Sequence, residues 1–171
     1  MPYLLDANIF IEAKNRYYGL DFCPAFWDWL VAANAAGVVH SIEKVGDELA
    51  AGTDNLAAWA AERGLGFFLR PDAKILPALA AVSTWASSQN YEQAAVSTFL
   101  QDADYYLIAH ALAHGHIVVT HEVAAATAKR VKIPNVCIPL GVKVMSPFEM
   151  LRSERANFVL GSPHAVAAPV L

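Results

Sequence analysis

The chain has 171 residues, a formal net charge of −4 at pH 7, and 56% apolar against 16% charged residues. This length predicts one domain with a sizeable core. The negative charge argues against a diffuse basic surface for nucleic acid, but it is compatible with a local basic rim around an acidic pocket. No stretch reaches the roughly 18 apolar residues of a membrane span, and the N-terminus lacks a basic region followed by an apolar run. We therefore expect a cytoplasmic protein without a membrane partner.

The first buried strand is predicted at residues 3–5, where three apolar residues run directly into Asp6. A carboxylate at the carboxyl end of a central parallel strand lies where open α/β sheets bind ligands. Asp6 can instead cap the helix that begins at Asn8. Asn8 has the same two interpretations, as a helix cap or as a group that holds a metal water.

The next elements follow from apolar periodicity and from the residues that stop helices. Gly37 ends one helix, and Ser41 is expected to cap another. Residues 72–100 have a helical, Ala-rich pattern that is interrupted at 87–90. Up to residue 100 we predict helices at 24–36, 42–51, 54–63 and 72–100, and strands at 38–41 and 67–69.

The second half of the chain contains the clearest strand, 116–120, which is preceded by a helix that Gly115 closes. The remaining pattern continues the alternation of strands and helices, which indicates an α/β fold with a central parallel sheet. From residue 101 onward we predict helices at 101–114, 123–131 and 147–152, and strands at 116–120 and 136–138.

Four acids occupy equivalent positions in this plan: two follow strands, one lies in the helix after the second strand, and one lies at the start of a helix. They are Asp6, Glu48, Asp104 and Glu122. Clustered carboxylates repel one another unless a cation neutralises them, and hard oxygen ligands suit Mg²⁺ or Mn²⁺. Such a metal can activate water for attack on a phosphodiester. The pattern thus predicts a metal-dependent catalytic site made by these four acids.

Several neighbouring residues offer alternatives to these assignments. Asp102 lies two positions before the helical acid and is placed to be the N-cap. Glu43 and Asp47 share a helix with Glu48, which we favour because it borders the face expected to pack on the sheet. Thr120 either fits a strand or holds a metal water with its hydroxyl.

Three stretches together resemble the PIN-domain ribonucleases, and among them the VapC-like toxins. Residues 5–8 (Leu-Asp-Ala-Asn) are similar to the opening motif, residues 104–111 to the Asp-led helix, and residues 118–122 to the strand-end motif. Residues 47–49 are similar to the helix that supplies the second acid. The resemblance implies a three-layer α/β/α sandwich, a divalent-metal site and endoribonuclease activity. It also implies an RNA substrate, an antitoxin partner and the role of toxin in a type II toxin–antitoxin system.

The resemblance covers most of residues 1–150 and implies a PIN-like domain at 1–152, with a helical insertion at about 54–100 that a compact PIN domain does not need. Residues 153–171 are expected to form a loosely held C-terminal tail. The family usually has Asp at the strand end, whereas this chain has Glu122, which is one methylene longer and suited to reach a metal through water. A catalytically silent PIN-like module that binds RNA or a partner protein is the alternative function.

Histidines and tryptophans suggest two further sites. His110 and His114 are four residues apart on one helix, which indicates either a zinc site or a half-buried helix face. Tryptophans on helices outside the acid site predict a homodimer or an antitoxin-binding face. These tryptophans are Trp27, Trp29 and Trp59. The candidates for a phosphate-contacting rim are Lys14, Arg16, Lys44, Lys129, Arg130 and Lys132.

Overall fold

The computed structural model describes residues 1–161. Its strands are β1 (Tyr3–Leu5), β2 (Val39–Ile42), β3 (Phe68–Leu69), β4 (Ile117–Val119) and β5 (Val144–Met145). They form one sheet in the order β3-β2-β1-β4-β5, and every neighbouring pair is parallel. Helices flank the sheet, consistent with a three-layer α/β/α sandwich. The predicted fold class is therefore confirmed.

Within residues 1–161 eight α-helices connect the strands and a ninth follows the last strand, while a π-helical turn (Ala13–Tyr17) directly follows the first helix. The helices are α1 (Ala7–Glu12), α2 (Pro24–Ala35), α3 (Glu43–Ala50), α4 (Asn55–Ala61), α5 (Ile75–Ser88), α6 (Gln93–Phe99), α7 (Ala103–His114), α8 (Ile133–Cys137) and α9 (Pro147–Ser153). None of the helices in this part of the chain combines the length and the apolar character that a membrane crossing requires.

The two central strands are continuous apolar runs because both faces of the sheet are covered. Every residue of β1 and of β4 is buried. The register pairs Leu5 with Val119, so the residues that follow these strands, Asp6 and Thr120, are neighbours at the carboxyl edge of the sheet. This edge, at the reversal of strand order beside β1, is where α/β folds bind ligands.

Helix α7 carries its first turn to the same edge. Gly115 adopts a left-handed conformation with φ of 70°, which ends α7 and returns the chain into β4. Because α7 packs against β4 and precedes it, its C-terminus lies near the start of the strand and its N-terminus near the strand's end. Asp104, in the first turn of α7, is thereby brought toward Asp6.

The region between β4 and β5 differs from the sequence prediction. Residues 123–131 are not helical, and residues 136–138 are not a strand, because α8 occupies Ile133–Cys137. Pro134 stands in the first turn of α8, where a missing N–H costs nothing, so it is a start signal for a helix. The apolar run at 136–138 predicted a strand because it is equally compatible with one. The strand that follows is β5.

Ser41 does not cap α3 as predicted. Its hydroxyl donates a hydrogen bond of 2.6 Å to the carbonyl of Leu5, and so joins β2 to the end of β1. The segment 54–100 contains the predicted helices as α4, α5 and α6, together with the edge strand β3.

Two of the three tryptophans predicted to form an association face are buried. Trp27 and Trp59 lie inside the core, with ring centroids 5.0 Å apart, so they cannot supply the exposed face proposed for a homodimer. The homodimer itself stays a prediction.

After α9, Phe158 packs edge-on against Tyr18 and Phe26. The predicted tail is described only as far as Gly161, since residues 162–171 lie outside the described residues.

Candidate active site

Asp6 is the central acid of the candidate site. It occupies the N-cap position of α1, yet its side chain makes no capping hydrogen bond. The side chain instead accepts a hydrogen bond of 2.9 Å at Oδ2 from the hydroxyl of Thr120. Both residues are 2% exposed. A carboxylate this deeply buried is costly when ionised even with hydrogen-bond donors beside it, which indicates that it serves a purpose beyond capping.

Asp104 adds a second acid from the first turn of α7. The pKa of Asp104 is raised to about 7, mainly by burial and then by the negative charges of Asp6, Glu122 and Asp102, while Arg130 acts in the opposite direction. The pKa of Asp6 is raised to about 6, again mainly by burial, with the charge of Glu122 adding to the effect and the Thr120 hydroxyl opposing it. The fold thus holds these acids together against their repulsion.

Glu122 belongs to this group, but both of its carboxylate oxygens already have partners. Oε1 accepts a hydrogen bond of 2.7 Å from Nη2 of Arg130, and Oε2 accepts one of 2.8 Å from the backbone N–H of Ile133. The side chain is 9% exposed. Glu122 therefore acts on the two aspartates through its charge, and its direct contacts tie down the irregular segment after β4.

The predicted metal set is only partly assembled. Asp6, Asp104 and Glu122 influence one another electrostatically, whereas Glu48 is exposed on α3 and is not among the main charges that act on the two aspartates. Within residues 1–161, no group of three or more His, Cys, Asp or Glu side chains is already arranged to hold a metal ion. The core of the site is accordingly a pair of aspartates with an anchored glutamate beside them.

Helix α3 presents its three acids differently. Val45 and Leu49 are buried as predicted, which leaves Glu48 on one side of the buried stripe. Glu43 and Asp47 lie on the other side and line a groove against α7. Glu43 also accepts a hydrogen bond of 2.9 Å from Nε of Arg70.

We expect the acids of α3 to contribute less to metal binding than the two aspartates. Glu48→Gln should lower Mn²⁺ affinity by about three- to tenfold, the scale of losing one charge that does not bind the metal directly, and Glu43→Gln and Asp47→Asn should change it less. Isothermal titration with Mn²⁺ measures all three. If the Glu48→Gln variant binds Mn²⁺ with the same affinity as the parent, then this face of α3 supplies no ligand.

The other predicted site residues lie around the aspartates. Asp102 is the exposed N-cap residue of α7, as predicted, although its side chain makes no capping hydrogen bond. Asn8 is exposed and lines a groove beside Glu122. The hydroxyl of Thr120 donates to Asp6, and its oxygen accepts the backbone N–H of Glu122 at 3.1 Å.

Two grooves flank the aspartates, and cations line both. One groove, of about 380 Å³, includes Asp104 and Lys129, and the other, of about 460 Å³, includes Arg16 and Lys132. Arg130 lines both grooves. A chain with net charge −4 thus concentrates four of its twelve basic residues at the acidic edge. Such a local rim is suited to a polyanion.

An exposed aromatic group lies in the second groove. Tyr17 is 42% exposed and stacks on His121, with centroids 5.4 Å apart and planes inclined by 21°. Phe148 supports Tyr17 from the side, 5.3 Å away. This platform was not predictable from local sequence, because its members come from three distant segments. The one sequence signal was the aromatic pair Tyr17-Tyr18 at the end of the π-helical turn.

Comparison with known proteins gives one match. Residues 3–158 match the family model described as a domain of unknown function, DUF4411. No curated protein and no solved structure matches the chain. Because the matched residues span most of the 171-residue chain, this protein belongs to the DUF4411 family.

Proposed function

We propose that this protein is a Mg²⁺- or Mn²⁺-dependent endoribonuclease. One observation carries the proposal: two partly or fully buried aspartates, Asp6 and Asp104, share the carboxyl edge of the sheet and both have a raised pKa. Acids kept together in this way gain most from a divalent cation that replaces their protons. The resemblance to PIN-domain ribonucleases supports the same conclusion.

The residues fit a hard divalent cation. Mg²⁺ is usually bound by one or two carboxylates, with water and substrate phosphate completing its shell. Asp6 and Asp104 would supply those carboxylates, and Glu122 would add charge from beside them. When bound, the cation supplies positive charge for the phosphoryl oxygens and lowers the pKa of water.

The chain's own residues would orient a single-stranded substrate. Thr120 fixes the direction of the Asp6 carboxylate through its hydrogen bond. Arg16 and Lys132 line the groove next to the site and would contact phosphates. Tyr17, exposed in the same groove, would stack with a base, an interaction worth about 1–3 kcal/mol per base in single-strand binding.

Cleavage of a labelled single-stranded RNA by the purified chain tests this proposal. We expect cleavage with Mn²⁺ or Mg²⁺ and none with EDTA, and we expect a duplex of the same sequence to be cut much more slowly, because its bases cannot reach Tyr17. An absence of metal-dependent cleavage for a panel of unrelated RNA sequences would contradict the proposal.

We also propose that the nuclease is the toxin of a type II toxin–antitoxin pair, with an antitoxin as its partner and a homodimer as its assembly. The resemblance to VapC-like toxins supports this role. Induced expression should arrest growth of a bacterial host, and Asp6→Asn should not. Light scattering on the purified chain tests the homodimer.

A catalytically silent module that binds RNA or a partner protein is the second candidate. The bonds of Glu122 favour it, because Arg130 and the Ile133 amide occupy both carboxylate oxygens. Metal titration separates the two functions: a silent module would bind RNA with the same affinity in Mn²⁺ and in EDTA, and would bind Mn²⁺ only weakly.

The raised pKa values predict that metal binding depends on pH. Asp6 and Asp104 hold protons below pH 6 and 7, respectively, and a cation must displace them. We expect Mn²⁺ affinity to rise by about tenfold or more between pH 5.5 and 7.5 and then to level off. Titration calorimetry in two buffers of different ionisation enthalpy counts the released protons. A pH-independent affinity would mean that these aspartates do not bind the metal.

A further inference from the structure

Three histidines form a compact group away from the acidic edge. His110 and His114 are one turn apart on α7, and His116 lies between Gly115 and β4. Their ring centroids are separated by 4.6, 5.4 and 5.7 Å, which makes a nearly equilateral triangle. Three rings at the corners of a triangle cannot all stack face to face, so aromatic stacking alone does not account for this group.

Each ring has one buried nitrogen that makes no well-aligned hydrogen bond within residues 1–161, although the nitrogen of His114 lies 3.3 Å from Oδ1 of Asp72. These atoms are Nδ1 of His110, Nε2 of His114 and Nδ1 of His116. His110 is only 5% exposed as a whole residue. A buried polar atom without a partner costs about 1–3 kcal/mol, and a ligand shared by the Nδ1 atoms of His110 and His116 would recover that cost.

From this geometry we propose that His110, His114 and His116, together with Asp72, form a transition-metal site, with Zn²⁺ as its best-suited occupant. Neutral imidazole and carboxylate are ligands that zinc prefers, and three histidines with one carboxylate complete a tetrahedral set. The proposal does not depend on the nuclease function.

The distances between these groups match such a site. With Zn–N bonds of about 2.0–2.1 Å, tetrahedral geometry places the centres of bound imidazoles about 5 Å apart. It also places neighbouring ligand atoms about 3.3 Å apart. Oδ1 of Asp72 lies 3.3 Å from Nε2 of His114. The rings are inclined by 23° to 38°, and within residues 1–161 their nitrogens do not converge on one point, so binding requires rotation about the Cα–Cβ and Cβ–Cγ bonds of these side chains.

The site is separate from the two aspartates. His110 is six residues after Asp104 on α7, about 9 Å along the helix axis. His116 is four residues before Thr120, roughly 13 Å along β4. Asp72 comes from the loop before α5, so a bound metal would join three segments: the end of α7, the start of β4 and this loop. We therefore expect the metal to stabilise the fold.

Zinc binding is tested in the Asp6→Asn/Asp104→Asn double variant, which removes the acidic site. We expect this protein to bind one equivalent of Zn²⁺, to gain several degrees in Tm, and to give the intense visible bands of tetrahedral Co²⁺ when Co²⁺ replaces Zn²⁺. His114→Gln and Asp72→Asn change residues with side chains 20% and 51% exposed, so both variants should fold. His114→Gln should weaken Zn²⁺ affinity by roughly 100-fold.

His121→Gln is the matched control, because it removes a histidine outside the group; Zn²⁺ affinity should be unchanged. Zinc binding that persists in His114→Gln, a Co²⁺ spectrum without tetrahedral bands, or no Zn²⁺ binding by the double variant would overturn the proposal. In each of these cases the three imidazoles serve only packing.

Discussion

Replacing Asp104 with asparagine is expected to reduce metal-dependent RNA cleavage by about a thousandfold or more while the fold stays intact. The amide keeps the size of the carboxyl group but removes the charge that would hold the cation at the carboxyl edge. Asp6→Asn should act in the same way, since its amide oxygen can still accept the hydrogen bond from Thr120. Cleavage rates with saturating Mn²⁺ measure both effects.

The free energy of unfolding of Asp104→Asn should rise although its activity falls. The pKa of Asp104 is raised to about 7 in the folded protein, so the folded state binds the proton more tightly than the unfolded state. Its contribution to stability is present at low pH and is lost as the pH rises through 7. At pH 8, without metal, Asp104→Asn should therefore be more stable than the parent, by about 1–3 kcal/mol.

Asp102→Asn is the matched control for this experiment. It makes the same chemical change two residues earlier, at an exposed position that begins α7 without a capping hydrogen bond. We expect nearly full cleavage and little change in stability. If Asp104→Asn unfolds, or cuts RNA as the parent does, then Asp104 is a structural residue and the assignment of the site is wrong.

The sequence predicted that Asp6, Asp104 and Thr120 lie at the same edge of the sheet, because the local apolar pattern and the fold agree there. Three apolar residues before Asp6 predict a strand buried on both faces, and such a strand must be central. The apolar run before Thr120 predicts its neighbour. Parallel pairing in register then places the residues after both strands side by side, without further information.

The segment after β4 could not be predicted in the same way. Residues 123–131 are rich in alanine, so propensity favours a helix. Tertiary hydrogen bonds hold them in an irregular path instead: the side chain of Asn135 accepts from the N–H of Ala125 and donates to its carbonyl, and the carbonyl of Ala128 accepts from the N–H of Glu92. These partners are distant in sequence, and a local pattern does not contain them.

The sequence also does not determine which acid of α3 turns toward the aspartates. The buried stripe was predicted correctly from Val45 and Leu49, and a helix has two borders to each stripe. Glu48 lies on one border, and Glu43 lies on the other with Arg70 as its partner. Which border turns toward the aspartates depends on the rotation of α3 against its neighbours, which the spacing of apolar residues does not determine.

Glu122→Ala is expected to destabilise the protein by about 2–4 kcal/mol. The substitution leaves the N–H of Ile133 without its acceptor and Arg130 without its ion pair. Ile133 is fully buried, so water cannot replace the lost bond at low cost. Relief of repulsion with Asp6 and Asp104 offsets part of the loss, since the charge of Glu122 raises the pKa of both.

Glu122→Gln separates the anchoring role from metal binding. The amide oxygen can still accept from Ile133, so urea unfolding should show a loss of only about 1 kcal/mol. Mn²⁺ affinity should fall by less than about tenfold, because one charge is lost but both main carboxylates, Asp6 and Asp104, remain. A fall of 100-fold or more in Mn²⁺ affinity, together with a Glu122→Ala variant as stable as the parent, would instead identify Glu122 as a metal ligand that exchanges Arg130 for the cation.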